Sequence, residues 1–349
     1  MRPRLSYLSR VPVMGPIISL VVVAIAVSLS TDRFLLLDNL NNVALQASIV
    51  AIVAIGSTLV ILTGGIDLSP GSAIALLTMI MASLIKFEGM AAPLAIVVVL
   101  AISLVLGAVN GVLSSYGRIP SFIVTLATLS IYRGIAFLFN DGSPIFSVSD
   151  SLEPWFYGEL YGIALPFFYV LILYIIAWGF LKYTPNGRKI YAIGGNASAA
   201  RLSGINVNRT RLMAFVIAGL MAGIASILMT ARLNSGSPNY GVGTELQAIG
   251  AAVVGGASLA GGYGHIFGTL IGAAIIVVVQ NGLNLNAVPT SWQNITLGVI
   301  ILLAVFIDMW RADFGRLLGK IWSRVVGGAP ASADADGQEQ DIGPPRRGR

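Results

Sequence analysis

Apolar residues run along this chain in long, nearly unbroken stretches, Ile17 to Val27 and Leu94 to Val105 among them, separated by short polar breaks. They lack the period-two alternation of a barrel strand, and a helix needs roughly 20 apolar residues to cover a hydrocarbon core of about 30 Å. Such stretches are read at residues 12–30, 43–63, 70–86, 91–115, 121–139, 162–182, 211–231, 246–260, 265–283 and 291–309. The pattern predicts an all-α, polytopic membrane protein with about ten transmembrane helices. Two glycine-rich segments, Gly64 to Gly71 and Gly255-Gly256 to Gly261-Gly262, interrupt it; such breaks are loops or unwound backbone buried at membrane depth.

Composition agrees, with 56% hydrophobic and 10% charged residues where a soluble domain carries about a quarter charged. There is no Cys and one His, His265, so no disulfide framework, thiolate nucleophile or Cys/His metal site is expected. The net charge of +6 would point to nucleic acid in a soluble chain; here the basic residues fall between apolar stretches, so lipid and not nucleic acid is the expected surrounding. With a cytoplasmic N-terminus, 17 Lys and Arg fall on the inner side and only Arg33, Lys86 and Arg232 on the outer, with Arg133 inside the fifth stretch. That asymmetry places both termini in the cytoplasm. Arg2, Arg4 and Arg10 ahead of an apolar run read as the flank of an uncleaved first span. Residues 1–326 read as one transmembrane domain, and 327–349, with Ile342 its one sizeable apolar residue, as a disordered cytoplasmic tail.

One inner loop carries its own helix signals. Asn196 is a good N-cap, Ala197 to Ser203 can form two short turns, and Gly204 suits the left-handed position just past a helix end. Ala197, Ala199, Ala200 and Ser203 are small enough to let another backbone approach, and the flanks are basic. An ordinary positive loop would show the same composition.

The uncharged polar residues form patterns too. Ser121, Thr125, Thr128 and Tyr132 fall on one helix face, while Gln280, Asn281 and Asn284 cluster on the ninth stretch. They are candidates to line a translocation path, with interhelical hydrogen bonding as the alternative for each. Gln46, Asn110 and Gln247 are further uncharged candidates. Asp67 is costly at membrane depth. Its Gly, Ser and Pro neighbours favour a structural carboxylate at the helix start near Ser69-Pro70-Gly71 over an ion site. Arg133 can snorkel outward. Gly107 with Gly111, Gly219 with Gly223, and the series Gly264, Gly268, Gly272 read as close-packing faces. Gly64-Gly65-x-x-Leu68-x-x-Gly71 recurs as Gly255-Gly256-x-x-Leu259-x-x-Gly262, through duplication or chance. No P-loop is present: Gly315 to Ile321 has the wrong spacing and the wrong last residue. The chain cannot hydrolyse ATP by itself, and no catalytic residue is expected.

Three segments, Leu62 to Gly71, Thr184 to Ile205 and Ala252 to Gly262, together resemble the membrane subunits of the ribose/xylose class of ABC importers, over residues 40 to 310. The resemblance implies a permease in a bacterial inner membrane, working as a dimer with a second copy or a homologue. Separate cytoplasmic ATPases would bind ATP and Mg, this chain holding no cofactor or metal, and a soluble extracytoplasmic binding protein would deliver the sugar, with a ribose-like pentose favoured. It also assigns the ATPase-coupling loop to Gly187, Arg188, Gly194, Gly195, Asn196, Ala199, Ala200, Arg201 and Gly204, and leaves Gly64, Gly65, Asp67, Gly255 and Gly256 as structural. An ion-coupled transporter of a small neutral solute, with Asp67 and Arg133 as coupling groups, is the competing reading.

Overall fold

A computed structural model describes residues 13–326, with side chains described as far as Met309. The tail expected at 327–349 lies outside the described residues. Two compact units divide at Met1–Asp308 and Met309–Arg349; the second is described only as helix, as far as Val326.

Helices occupy the apolar stretches in order: α1 Met14–Ser30, α2 Leu37–Leu62, α3 Pro70–Lys86, α4 Ala92–Ser115 and α5 Ser121–Leu138. After a segment with α6 Glu153–Phe156 come α7 Leu165–Tyr183, α8 Pro185–Gly195, α9 Ala197–Leu202 and α10 Val207–Leu233, then α11 Thr244–Val254, α12 Ile266–Leu285 and α13 Thr290–Val326. Among the described residues strand is confined to two antiparallel ribbons, β1 Ile145–Phe146 with β4 Ser235–Gly236 and β2 Glu159–Leu160 with β3 Ile163–Ala164.

Among the described residues seven helices (α2, α4, α5, α7, α10, α12 and the start of α13) are long and apolar enough to cross a membrane, whereas α1, α3 and α11 are shorter. The eighth stretch departs most from expectation. Hydropathy extends it over 246–260, but α11 stops at Val254 after 11 residues, about 16 Å of rise, or half the hydrocarbon thickness. The stop is local: Gly256 has φ +92, its N–H bonds the Val253 carbonyl at 2.9 Å and that of Ala257 bonds Ala252 at 2.8 Å. This is the pair of bonds that closes a helix on a left-handed residue.

Helix α2 is the central one, although the peripheral α4 is more apolar along its length. In α2, 89% of the apolar window is buried, against 22% in α4 and 6% in the α13 window. Faces of α4, α5, α7 and α13 (Val97, Phe122, Ile172, Leu302) are left exposed, as lipid-facing surfaces are.

Helices α4 and α10 cross with their backbones in contact. A Cβ at Gly107 would collide with the Phe215 carbonyl, and one at Gly219 with the Ser103 carbonyl, so these faces are packed as the glycine spacing implies. Gly268 and Gly272 on α12 meet Gly255 and Ala251 in the same way. Gly219→Val is therefore expected to separate α4 from α10 and abolish monodisperse protein in detergent, while Gly134→Val, where nothing lies within 4 Å, leaves the elution profile unchanged. Size-exclusion chromatography of the two variants checks this.

Candidate coupling element and the broken core

The segment between α7 and α10 is a chain of caps. Thr184 accepts the Gly187 N–H at 3.1 Å, and Pro185 sits in the first turn of α8, where a missing N–H costs nothing. Asn196 ends α8 and starts α9 by accepting the Ala199 N–H at 2.9 Å. Gly204, at φ +82, closes α9: its N–H bonds Arg201 and the Ile205 N–H bonds Ala200, both at 3.0 Å. Asn206 then caps α10 through the Arg209 N–H at 2.9 Å. The predicted small helix is thus present with its expected cap residues. α8 is an addition to the expected elements, although Thr184-Pro185 announces its start.

Ile193, Ala200 and Val207 are buried together, with Ala197 and Ile205 against them, forming a small core beneath α9. Ala200 points inward, so it does not belong to the open face. Exposed are Arg188, Gly195, Asn196, Ala199, Arg201, Gly204 and Leu202, the last at 90%.

The ground on which α8 stands is more telling. A Cβ at Gly194 would overlap the Leu62 carbonyl and the Gly262 backbone, one at Gly261 would come within 2.9 Å of the Gly64 nitrogen, and the Gly262 N–H bonds the Leu62 carbonyl at 3.0 Å. The Tyr191 hydroxyl donates to the Gly264 carbonyl at 3.0 Å, and burial raises the hydroxyl's pKa. Gly187 packs on the backbone of Phe180 and Leu181. The end of α8 therefore touches both glycine breaks at once. His265, beside this junction, has a buried Nδ1 without a hydrogen-bond partner; burial and the Lys182 charge hold its imidazole below its ordinary pKa.

The two breaks share a conformation but not the sequence register of the repeat. Gly64 is the left-handed residue after α2, at φ +78, with Gly64 bonded to Ile61 and Gly65 to Val60. The equivalent residue after α11 is Gly256, whereas the repeat pairs Gly64 with Gly255, at φ −71.

Between Gly65 and α3 the backbone is buried and held by polar side chains. The Asp67 carboxylate accepts from the Ser69 N–H at 2.9 Å and the Ser69 hydroxyl at 2.7 Å. Asn110 on α4 donates to Ser69 Oγ at 2.8 Å and accepts from the Thr128 hydroxyl at 2.8 Å. Ser121 accepts the Ile66 N–H at 3.0 Å, Thr125 donates to the Ile66 carbonyl at 3.3 Å, and the Tyr132 hydroxyl donates to the Leu106 carbonyl at 3.0 Å. Thr125, Thr128 and Tyr132 are buried. The polar face of α5 thus bonds the unwound segment and α4. Asp67 bonds Ser69, the residue before α3, and caps no N–H of the helix itself.

The other cluster is not brought to this island. Asn281 exchanges two amide bonds with Asn39, at 2.9 and 3.0 Å, Asn284 accepts from Gln293 at 2.7 Å, and Gln280 is half-buried. Arg133 does not snorkel: its guanidinium donates to the carbonyls of Pro238 and of Tyr240, the latter at 2.8 Å. Sequence reasoning missed Glu245, whose Oε2 is buried without a hydrogen-bond partner against Gly71 and Gly241. The small residues facing it were the sole signal.

Residues 39–305 match the family described as branched-chain amino acid transport system / permease component. The ribose import permease protein RbsC of Escherichia coli (strain K12) is 44% identical over 296 residues, covering 84% of this chain and 92% of that protein. The D-allose transport system permease protein AlsC of the same strain is 37% identical over 288 residues, covering 82% and 88%, and the xylose transport system permease protein XylH of Haemophilus influenzae is 35% identical, covering 84% and 94%. The chain belongs to the ribose/xylose class of ABC importer permeases. No solved structure matches it. The family description and the relatives' names differ in cargo. As a permease of this class the chain is a multi-pass protein of the bacterial inner membrane.

In this permease Asn110 joins α4 to α3 and α5. Asn110→Ala is expected to cost about 1–3 kcal/mol, read as a lower unfolding midpoint in detergent, because the buried Thr128 hydroxyl loses its acceptor. Adding Thr128→Val should recover part of that loss.

Proposed function

We propose that this permease moves a ribose-like monosaccharide inward, with the exposed face of α8 and α9 docking on a separate cytoplasmic ATPase that binds ATP and Mg. One observation carries the reading: the junction of Gly194 with Leu62 and Gly262 joins that face to both breaks in the membrane core. A push on α9 is thereby delivered to the start of α3 and to the end of α11, where unwound backbone can move without breaking a helix. A second permease copy or homologue would complete the path, and a soluble extracytoplasmic protein would deliver the sugar. Both termini lie in the cytoplasm in this arrangement.

The core chemistry supports a neutral cargo. Around the first break the bonding side chains are hydroxyls, an amide and the Asp67 carboxylate, which Ser69 engages; Arg133 is engaged by carbonyls and is not free to receive the carboxylate of a zwitterion, while Glu245 beside Gly71 keeps an unpartnered oxygen. Ser121, half-buried at the edge of the island, is the stripe residue with the readiest access to solvent. We keep Thr125, Thr128 and Tyr132, with Gln280, Asn281 and Asn284, as residues that shape the path.

Vesicles containing the permease, its ATPase and its binding protein should take up labelled ribose on addition of ATP, and leucine should not compete. Uptake that ignores ATP but collapses with a protonophore would instead establish the ion-coupled reading. Leu202→Asp should reduce ATPase recovery in a pull-down by about tenfold or more, since it removes one fully exposed apolar contact, with membrane levels unchanged. A reporter after Gly195 should read as cytoplasmic and one near Ser151 as external.

A further inference from the structure

Between the α4–α5 turn and the start of α10 lies a cavity of about 870 Å³, whose wall takes Arg201 alone from the residues assigned to the coupling loop. Its wall includes Arg118 from the α4–α5 turn, Arg201 from α9 and Arg211 from α10, and no Asp or Glu. Two long helices begin at this wall, α5 with Ser121 and α10 with Asn208 in its first turn. Helix N-termini carry unpaired N–H groups and partial positive charge, which adds to that of the guanidinium groups. A further wall residue, Ser115, is only 5% exposed, and its hydroxyl has no hydrogen-bond partner.

Three cations without a counter-charge in the wall, two positive helix ends and an unanswered buried hydroxyl all lack the same thing, an anion with several acceptor oxygens. We propose that this cavity binds a phosphate group, through the guanidinium groups of Arg118 and Arg211 with Arg201 at the rim, and the Ser115 hydroxyl at its floor. A phospholipid headgroup and a small phosphorylated solute share this chemistry. Apolar Ile119 and Phe122, also in the wall and exposed, give an acyl chain a way out toward lipid. Occupation would bridge α9 to the α4–α5 turn and brace the coupling element. The binding itself does not depend on which cargo the permease carries.

The test reads binding, not transport, so its failure is distinct from failure of the proposed function. Purified permease is examined by native mass spectrometry from nanodiscs with and without phosphatidylglycerol, and by thermal unfolding in detergent during titration with inorganic phosphate. Either retained phosphatidylglycerol or a phosphate-dependent rise in midpoint is expected, the first marking a lipid site and the second a solute site. The double variant Arg118→Gln/Arg211→Gln should weaken that binding by about tenfold or more. Ser115→Ala, which removes a hydroxyl that bonds nothing in the protein, should weaken it severalfold while leaving the unfolding midpoint of the ligand-free protein in place. Binding that is absent in the wild type, or equal in wild type and double variant, overturns the proposal. So does loss of ATPase recovery in the double variant with phosphate and lipid binding intact, since the arginines would then serve the docking partner.

Discussion

Three backbone segments meet at a point where no side chain fits. Gly194 at the end of α8, the Leu62 carbonyl at the end of α2 and Gly262 in the second break are in direct contact, with Gly64 and Gly261 alongside. Most of the architecture depends on that junction. α2 must stop at Leu62 to offer its carbonyl, α8 must be helical to bring Gly194 inward, and the segment after α11 must be unwound for Gly262 to donate. A Cβ at Gly194 or Gly262 would push these apart, and the open face of α9 would lose its connection to the core.

Unwound backbone at this depth needs partners, and the two breaks find them differently. The first recruits side chains: Asp67, Ser69, Asn110, Ser121 and Thr125 supply acceptors and donors that helical bonds would otherwise provide. The second relies on itself and on its neighbours, with the Ser258 N–H bonded to the Tyr263 carbonyl at 2.9 Å and the Ser258 hydroxyl to Asp308 at 2.9 Å. This difference explains why a shared glycine string can mislead about register: the helix-closing turn is common to both breaks, and the path of the chain after that turn is not.

Much was legible in the sequence because local rules governed it. Helix positions came from apolar runs, α9 from Asn196 and Gly204, and the close-packing faces of α4 and α10 from glycine spacing, though not that the two faces meet each other. The stripe on α5 was visible, but its partners were not, since Asn110 and the Ile66 backbone reach it only after three helices pack. Ala200 looks equivalent to Ala199 by composition; the roll of a six-residue helix puts one inside and one outside. Depth alone suggests snorkelling for Arg133, whereas its carbonyl partners lie more than a hundred residues away in a loop. The length of α11 escapes hydropathy because apolar residues flank Gly256 on both sides and the backbone turn ends the helix.

The burial of α2 bears on how the chain is made. Its neighbours α10, α11 and α12 are synthesised long after it, so a helix that ends deep in protein must first wait in lipid. Two of its hydroxyls suit that wait: Ser48 bonds the Ala44 carbonyl and Thr58 the Ala54 carbonyl, each at 2.7 Å within α2 itself, so neither proton has to seek water. Only when Thr269 on α12 arrives does Thr58 gain a partner from outside, at 2.9 Å. The helix thus carries provisional solvation of its own, and assembly exchanges lipid for protein around it without ever uncovering those two groups.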